Sequence, residues 1–342
     1  MYIRVLDYTN ALANKITILG NGSWSSALAK ILTDNGHRIN WWMRSEEAIK
    51  QLKTSGHNPH YLKIVKYDIG LIELYSDIHQ AIAHGDILLI GIPSAFIQDV
   101  FQQLAHDELQ GKIILSAIKG ILPVKSILLN EYLSESFGLD MNQYCCISGP
   151  CHAEEVAADK LSYLTFASSN EQLATEMAAM FYNENLKTVV STDVYGVQYA
   201  AVLKNIYALG AGIAHGLDYG DNFLSVYITN CFAELQQFMD VISTQAKHHY
   251  NTSAYLGDLL VTCYSLHSRN RTFGNFIGKG YSVNAAKLEL NMVAEGYYAS
   301  KGIYEIGKKY QYVLPIATAI YDILWHQQSA KVEFEKIEEI FN

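Results

Sequence analysis

The residues Lys15-Ile-Thr-Ile-Leu-Gly-Asn-Gly-Ser-Trp-Ser25 form a short apolar run that leads into a glycine-rich turn. From residue 23 to residue 35 the apolar side chains are spaced as on one face of a helix, and Gly36 is suited to end that helix. A second apolar run covers residues 39–43. The pattern predicts a strand, a tight turn, a helix and a second strand, which together form one β-α-β unit.

Strand-like and helical patterns keep alternating as far as Val190. Apolar runs cover residues 86–91 and 111–117, and helical patterns cover residues 95–104 and 124–137. After Val190 helical periodicity dominates to the C-terminus. We therefore expect an α/β, Rossmann-type, doubly wound parallel sheet followed by an all-α part. The expected boundary gives an N-terminal domain of residues 1–192 and a C-terminal domain of residues 193–342.

Composition narrows the class of protein. The length of 342 residues exceeds the usual size of one hydrophobic core, and the net charge of −9 lacks the surplus of Lys and Arg that a nucleic-acid-binding surface needs. The five cysteines match neither a zinc site nor a disulfide framework, so we expect no bound metal and a reducing, cytoplasmic setting. Residues Met1 to Asp7 lack the apolar core of a signal peptide, so we expect no export.

The most apolar long stretch covers residues 199–217. Lys204, Asn205 and His215 interrupt it, which favours a buried helix over a membrane span. We therefore expect no integral membrane segment. An ammonium group in such a helix loses its hydration, which predicts a lowered pKa for Lys204. A lysine of this kind can give a proton to a forming alkoxide and take it back. The alternative is a lysine that reaches solvent at the edge of the helix.

The turn at residues 20–25 has the form of a dinucleotide-binding turn. Gly20 permits the tight turn, and Gly22 lets the backbone approach a pyrophosphate at the N-terminus of the helix. Ser25 takes the third glycine position, where a small residue still allows the helix to pack close to the strand. The alternative is an ordinary glycine-rich turn between a strand and a helix.

The end of the second strand bears on which nicotinamide cofactor binds. An NAD-selective site usually has an acid there, whereas this chain has Arg44, which suits the ribose 2′-phosphate of NADPH. Glu46 and Glu47 follow closely and could supply an acid for NADH instead. We therefore expect NADPH or NADH, with NADP preferred.

Other segments carry candidates for substrate chemistry. Lys119 follows the apolar run at residues 111–117, at the sheet edge where doubly wound folds bind ligands. The turn Gly149-Pro-Cys-His152 presents backbone N–H groups at the same edge, and His152 is either an acid-base group or a residue that packs at a helix start. The stretch Gly257–Arg271 combines an acid, hydroxyls, an amide and guanidinium groups. Such a set suits a small phosphorylated polyol, and the alternative is a solvated polar loop.

Five segments, in this order, resemble the bacterial NAD(P)-dependent glycerol-3-phosphate dehydrogenases. They are Gly-Asn-Gly-Ser-Trp at 20–24, Ser-Ala-Ile-Lys-Gly at 116–120, Ser-Gly-Pro-Cys-His-Ala-Glu-Glu-Val at 148–156, Val-Leu-Lys-Asn-Ile-Tyr-Ala at 202–208, and the stretch at 257–271. The resemblance covers nearly the whole chain. It implies a Rossmann-type domain, a helical domain like that of 6-phosphogluconate dehydrogenase, and a homodimer. The implied reaction interconverts dihydroxyacetone phosphate and sn-glycerol 3-phosphate for glycerophospholipid synthesis.

The resemblance also implies roles by position, with Lys204 as the proton acceptor in alcohol oxidation. The resemblance implies eight substrate contacts, which are Lys119, Gly149, Cys151, Lys204, Asp258, Ser268, Arg269 and Asn270. The residue pattern adds Thr262 to them. The resemblance also implies cofactor contacts at Ser23, Trp24, Arg44, Tyr61, Lys119, Ala153, Arg269, Val293 and Glu295. The glycine-rich turn adds Gly20 and Gly22.

Two positions depart from the family pattern. Cys151 stands where the family commonly has Ser, and because a thiol is a weaker donor we expect a backbone contact there. Thr229-Asn230 stands where many relatives have Thr-Arg. Two rival functions remain at this point: a sugar-acid dehydrogenase of the 6-phosphogluconate type, and a catalytically silent nicotinamide sensor. The presence of Lys119, Lys204, Asp258 and Arg269 argues against the sensor, which needs no proton relay.

Overall fold

A computed structural model describes residues 15–243 and 248–341. Over these ranges the chain divides into two compact units. Unit 1 contains residues 15–92, 96–118 and 129–194, and unit 2 contains residues 93–95, 119–128, 195–243 and 248–341. The segment Met1 to Asp7, on which the expectation about export rests, lies outside the described residues.

Unit 1 is built on a sheet that has eight strands within the described ranges. The strand order is β3-β2-β1-β4-β5-β6-β7-β8, and the change of direction beside β1 is typical of a doubly wound fold. The strands are β1 (Ile16–Leu19), β2 (Ile39–Trp42), β3 (Ile72–Tyr75), β4 (Ile87–Ile90), β5 (Ile113–Ser116), β6 (Tyr144–Ser148), β7 (Ser162–Ala167) and β8 (Leu186–Ser191).

The central strands are apolar at almost every position because both faces of the sheet are covered. All four residues of β1 and all four of β4 are buried. Strands β1 to β6 are parallel, whereas β7 runs antiparallel to β6 and β8 runs parallel to β7. The helices of this unit are α1 (Ser23–Asp34), α2 (Glu46–Ser55), α3 (Ile78–Ala83), α4 (Ile97–Phe101), α5 (Leu129–Phe137), α6 (Ala153–Ala157) and α7 (Glu171–Phe181).

The predicted doubly wound sheet and helical C-terminal part are confirmed, with two differences in the helices. The helix predicted over 95–104 is shorter, because a 3₁₀ turn at Ser94–Phe96 precedes α4. The helix predicted over 124–137 begins only at Leu129. Ser126 has a φ of 52°, which an α-helix cannot contain, so the residues before α5 form a turn.

Apart from an isolated antiparallel bridge between Leu122 and Ile127, the regular structure of unit 2 in the described ranges is helical. A single π-helical turn at Ser253–Gly257 leads into α10. No helix in residues 15–243 or 248–341 is long and apolar enough to cross a membrane. The helices are α8 (Val194–Gly216), α9 (Asp221–Ile242), α10 (Asp258–Tyr264), α11 (Arg269–Gly278), α12 (Val283–Leu290), α13 (Glu295–Lys309), α14 (Pro315–Trp325) and α15 (Ala330–Glu338).

Glycines let α8 and α11 touch backbone to backbone. A Cβ atom at Gly212 would collide with the carbonyl of Arg271, and one at Gly274 would collide with the backbone of α8. Gly216 and Gly278 make a second close approach one turn further along each helix. The glycines of residues 210–216 therefore do not interrupt α8. They fix its packing, and with it the position of the buried Lys204.

A buried carboxylate joins three helices of unit 2. Glu234 on α9 accepts hydrogen bonds from the N–H groups of Ile316 and Ala317, at 2.7 and 3.0 Å, and from the hydroxyl of Tyr207 at 3.0 Å. Two of these donors are otherwise unsatisfied N–H groups in the first turn of α14. Burial raises the pKa of Glu234 to about 7, while the three donors act in the opposite direction. This group caps α14 from inside the core.

Candidate functional site

The turn after β1 requires glycine at its first position. Gly20 has a φ of +109°, and a Cβ there would lie 3.2 Å from the backbone of Gly91 and Ile92. Its carbonyl accepts a hydrogen bond of 2.8 Å from the indole of Trp41. The turn is thus held between β2 and the end of β4.

The N-terminus of α1 is shaped to receive an anion. Gly22 is the N-cap residue and contributes no side-chain cap, and a Cβ there would meet nothing within 4 Å. The first turn of α1 carries no acidic residue, so the helix dipole favours a negative charge there. Ser23 and Trp24 are the first two helical residues. The residues fit the pyrophosphate of a dinucleotide.

Ser25 confirms that a small residue suffices at the third glycine position. It is fully buried, and its hydroxyl donates to the carbonyl of Gly91 at 3.1 Å. Gly91 in turn leaves room for Ser25, since a Cβ at Gly91 would collide with that hydroxyl. The helix therefore packs directly on the end of β4.

Asn58 is a buried residue of this region that the sequence reasoning missed. Its amide donates to the carbonyl of Asn21 at 3.2 Å and to the hydroxyl of Ser26 at 2.9 Å. Its side-chain oxygen accepts from the N–H of Tyr61 at 3.2 Å. Asn58 thereby joins the segment that carries Tyr61 to the glycine-rich turn. The only signal in the sequence is the dipeptide Asn58-Pro59, which indicates a turn but no partner. Arg44 is exposed beyond β2.

The turn after β6 has the same kind of constraint. Gly149 has a φ of +131°, and a Cβ there would lie 2.5 Å from the carbonyl of Tyr163. The thiol of Cys151 donates to that same carbonyl at 3.1 Å, and the N–H of Cys151 donates to the carbonyl of Gly149 at 2.9 Å. Both donors of Cys151 have partners within unit 1, and its contact with substrate stays a prediction. Ala153 is the first residue of α6, and His152 is its N-cap residue.

Unit 2 brings Lys119, Lys204, Asp258 and Thr262 together. The ammonium of Lys204 donates to Oδ1 of Asp258 and, at 3.0 Å, to the hydroxyl of Thr262. The ammonium of Lys119 donates to Oδ2 of Asp258 at 3.2 Å. Lys204 is 5% exposed and Asp258 is 1% exposed. The prediction of a buried Lys204 is confirmed, and the alternative of a lysine that reaches solvent is wrong.

The electrostatics of this cluster set the protonation of Lys204. Burial lowers its pKa, the carboxylate of Asp258 opposes that change, and the charge of Lys119 adds to it, which leaves a pKa of about 8. For Asp258, burial would raise the pKa, but the attraction of the two ammonium groups is stronger and holds the pKa below its usual value. The cluster therefore pairs a carboxylate of lowered pKa with an amine that can exchange a proton near neutral pH.

Asn205 and Asn270 form a second layer next to this cluster. The amide of Asn205 donates to the carbonyl of Lys119 at 2.7 Å, and its oxygen accepts from the amide of Asn270 at 3.0 Å. The oxygen of Asn270 accepts from the N–H of Gly296 at 2.9 Å. These bonds fix the orientation of both carboxamides.

Glu295, the first residue of α13, has its carboxylate fixed by Ser94. It accepts from the N–H of Ser94 at 3.1 Å and from the hydroxyl of the same residue. Burial raises the pKa of Glu295, while Ser94 and the charge of Arg269 oppose that change. Ser94 was missed by the sequence reasoning, because a single serine after a strand carries no motif. Val293 lies just before the N-cap residue of α13.

The stretch Gly257–Arg271 is not a solvated loop. It forms α10 and the first turn of α11, and Asp258, Thr262 and Asn270 are buried. Ser268 caps α11 by accepting from the N–H of Arg271 at 3.3 Å. Arg269 is the first residue of that helix.

Comparison with known proteins gives a family for both parts of the chain. Residues 15–174 match the model of the NAD-dependent glycerol-3-phosphate dehydrogenase N-terminus, and residues 193–335 match that of the C-terminus of the same family. The chain belongs to this family. It is 34% identical over 327 residues to the glycerol-3-phosphate dehydrogenase [NAD(P)+] of Bacillus subtilis, an alignment that covers 94% of this chain and 93% of that protein.

Two further matches agree with the family assignment. The corresponding enzyme of Lactiplantibacillus plantarum is 36% identical over 325 residues, which cover 94% of this chain and 95% of that protein. The crystal structure of glycerol-3-phosphate dehydrogenase from Coxiella burnetii superimposes with a TM-score of 0.89 at 26% identity, and the match covers 95% of this chain and 99% of that one.

Proposed function

We propose that this chain is an sn-glycerol-3-phosphate dehydrogenase. It catalyses reversible hydride transfer between NAD(P)H and dihydroxyacetone phosphate, and the resulting sn-glycerol 3-phosphate serves glycerophospholipid synthesis. The chain belongs to the glycerol-3-phosphate dehydrogenase family. Given that family, the observation that carries the proposal is the buried pair of Lys204 and Asp258, in which the Lys204 amine has a pKa of about 8.

Lys204 handles the proton of the reaction. Reduction of the ketone places negative charge on O2 of the substrate, and the Lys204 ammonium neutralises it by giving up a proton. In the reverse direction the neutral amine takes the proton from the hydroxyl. Asp258 keeps the amine in place, and the hydroxyl of Thr262 accepts a second hydrogen bond from the Lys204 ammonium at 3.0 Å. Bound NAD(P)H supplies the hydride in reduction, and NAD(P)+ accepts it in oxidation.

Arg269 and Asn270 bind the phosphate end of the substrate. Arg269 begins α11, so its guanidinium adds to the positive end of a helix dipole. Ser268, Lys119, Gly149 and Cys151 complete the substrate contacts. Binding at the phosphate orients the three-carbon chain, and such orientation contributes on the order of several kcal/mol to barrier lowering.

The cofactor binds at the glycine-rich turn of unit 1. Gly20 and Gly22 let the backbone approach the pyrophosphate, and the absence of an acidic residue from the first turn of α1 supports this role. Arg44 accommodates a ribose 2′-phosphate, which makes NADPH the preferred cofactor, with NADH also used. The further cofactor contacts are Ser23, Trp24, Tyr61, Lys119, Ala153, Arg269, Val293 and Glu295.

We also propose the organisation in which the enzyme works. Residues 1–192 form the cofactor-binding domain and residues 193–342 the substrate-binding domain. The functional form is a homodimer in the cytoplasm. The five free cysteines support a reducing setting, and the family resemblance supports the dimer.

A spectrophotometric assay tests the proposed function. The purified protein should oxidise NADPH, and NADH more weakly, on addition of dihydroxyacetone phosphate, and should reduce NADP+ with sn-glycerol 3-phosphate. Unphosphorylated dihydroxyacetone serves as the control and should be a far poorer substrate. Turnover of 6-phosphogluconate instead would indicate the sugar-acid dehydrogenase, and cofactor binding without any turnover would indicate the sensor.

A further inference from the structure

A closed ring of contacts surrounds Lys119 in unit 2. The carbonyl of Lys119 accepts a hydrogen bond from the amide of Asn205. The side-chain oxygen of Asn205 accepts one from the amide of Asn270, whose oxygen accepts one from the N–H of Gly296. The residue before Gly296 is Glu295, whose carboxylate accepts both donors of Ser94. The ring therefore runs from the backbone of Lys119 to the side chain of Ser94.

Gly120 closes the ring. A Cβ at Gly120 would lie 2.5 Å from Oε2 of Glu295 and 2.5 Å from the hydroxyl of Ser94. Because Gly120 directly follows Lys119, the pair of Ser94 and Glu295 forms the surface against which the Lys119 segment rests. Only glycine fits there without moving the segment.

Ser94 is fully buried, and it acts on a carboxylate with two donors, its N–H and its hydroxyl. Hydrogen bonds to a charged group are roughly twice as strong as neutral ones. Ser94 touches neither Lys204 nor Asp258 in any contact described above, so its effect on them must pass through the ring.

We propose that Ser94 is a positioning residue for Lys119. By holding Glu295 against Gly120, it keeps the Lys119 ammonium within 3.2 Å of Asp258. This inference rests on the proposed function only for its kinetic readout.

The first readout is the pH dependence of ketone reduction. The charged groups that act on Lys204 are Asp258 and Lys119, and the neighbouring thiol of Cys263, whose pKa burial raises to about 12, stays neutral near pH 8. Lys119 lowers the pKa of Lys204. In Ser94→Ala, Lys119 moves away from the pair, so the alkaline limb of the reduction profile should shift to higher pH. A variant that merely loses stability would not move this limb.

The second readout needs no activity. The rate at which acetic anhydride acylates Lys119, followed by mass spectrometry, should rise several-fold in Ser94→Ala, because the amine loses a bond that shields it. Exposed Lys301 should react equally in both proteins. This readout separates the inference from the proposed function, since it holds even for a protein without dehydrogenase turnover.

Two variants complete the test. Ser300→Ala is the matched control, since Ser300 is equally buried in unit 2 and bonds the carbonyl of Tyr297, outside the ring. It should change neither readout. Glu295→Gln keeps the size of the side chain, should show the same two changes as Ser94→Ala, and serves if Ser94→Ala fails to fold. The proposal would be overturned if Lys119 in the folded variants were acylated at the native rate and the alkaline limb of the reduction profile did not shift.

Discussion

Lys204 on α8 donates a hydrogen bond to Asp258, the first residue of α10, across 54 positions of sequence. The pair is buried, so the lysine loses its hydration but keeps a counter-charge. Without Asp258 the amine would be neutral well below pH 8, and without burial it would stay protonated far above it. The balance of the two effects produces a group that can exchange a proton under physiological conditions.

The pKa of Lys204 predicts opposite pH dependences for the two directions of the reaction. Ketone reduction needs the protonated amine, so kcat/KM for dihydroxyacetone phosphate should fall about tenfold per pH unit above pH 8. Alcohol oxidation needs the neutral amine, so its rate should rise up to about pH 8 and then level off. Initial rates at constant ionic strength check this. Parallel profiles in the two directions would contradict it.

Asp258→Asn keeps the size of the side chain but removes the charge that both lysines contact. Loss of that charge lowers the pKa of Lys204, so the alkaline limb of reduction should move to lower pH. The free energy of unfolding should fall by about 3–5 kcal/mol, because the buried ammonium of Lys204 and the partly buried ammonium of Lys119 lose their partner. Urea titration measures the second effect.

Asp322→Asn is the control for this stability measurement. Asp322 pairs with His326 at the surface, so the loss should stay below about 1 kcal/mol. Equal losses in the two variants would show that the contact of Asp258 with Lys204 is no stronger than a surface pair.

Gly212→Ala tests the contact between α8 and α11. The added methyl group would collide with the carbonyl of Arg271, so the helices must separate, and the free energy of unfolding should fall by at least about 1–3 kcal/mol. Gly220→Ala is the matched control, since a Cβ there meets nothing within 4 Å, and it should cost less than about 0.5 kcal/mol. A Gly212→Ala variant as stable as the control would mean that the helices do not pack this closely.

Arg269→Ala tests the phosphate contact. The KM for dihydroxyacetone phosphate should rise at least about tenfold, since a charged hydrogen bond of about 1.5–3 kcal/mol is lost. At saturating NADPH, which removes the effect of the proposed contact of Arg269 with the cofactor, the rate with unphosphorylated dihydroxyacetone should hardly change, because that substrate has no phosphate to bind. An equal loss with both substrates would assign Arg269 a role other than phosphate binding.

Much of the fold follows from local pattern. The apolar runs of β1, β2 and β4 predict buried strands, because both faces of such a sheet are covered. The reversal at β7 does not follow, since the direction of β7 depends on how it pairs with β6, and the apolar pattern of the two strands does not encode that pairing. The helix predicted over residues 124–137 begins later than its periodicity indicates, at Leu129. The left-handed φ of Ser126 stops the helix from starting earlier, and the periodicity of residues 124–137 does not encode it.

The same division holds for the site. The place of Lys204 in an apolar helix is enough to predict a lowered pKa, because the apolar pattern that indicates burial is local in the sequence. Its partner Asp258 and the second amine Lys119, 139 positions from Asp258, come together only in the folded unit. No sequence signal identifies the partners of Ser94 and Asn58, because any serine or asparagine in a turn has the same polar atoms and only the fold supplies their partners.

The turnover of Lys204→Met with NADPH and dihydroxyacetone phosphate tests the central claim most directly. Methionine keeps the length of the side chain but cannot transfer a proton, so kcat should fall by about 10²–10⁴-fold, while the affinity for NADPH measured by fluorescence titration stays close to native. If the variant turned over within about threefold of the native rate, the barrier would differ by less than about 0.7 kcal/mol, and Lys204 would not be the proton donor.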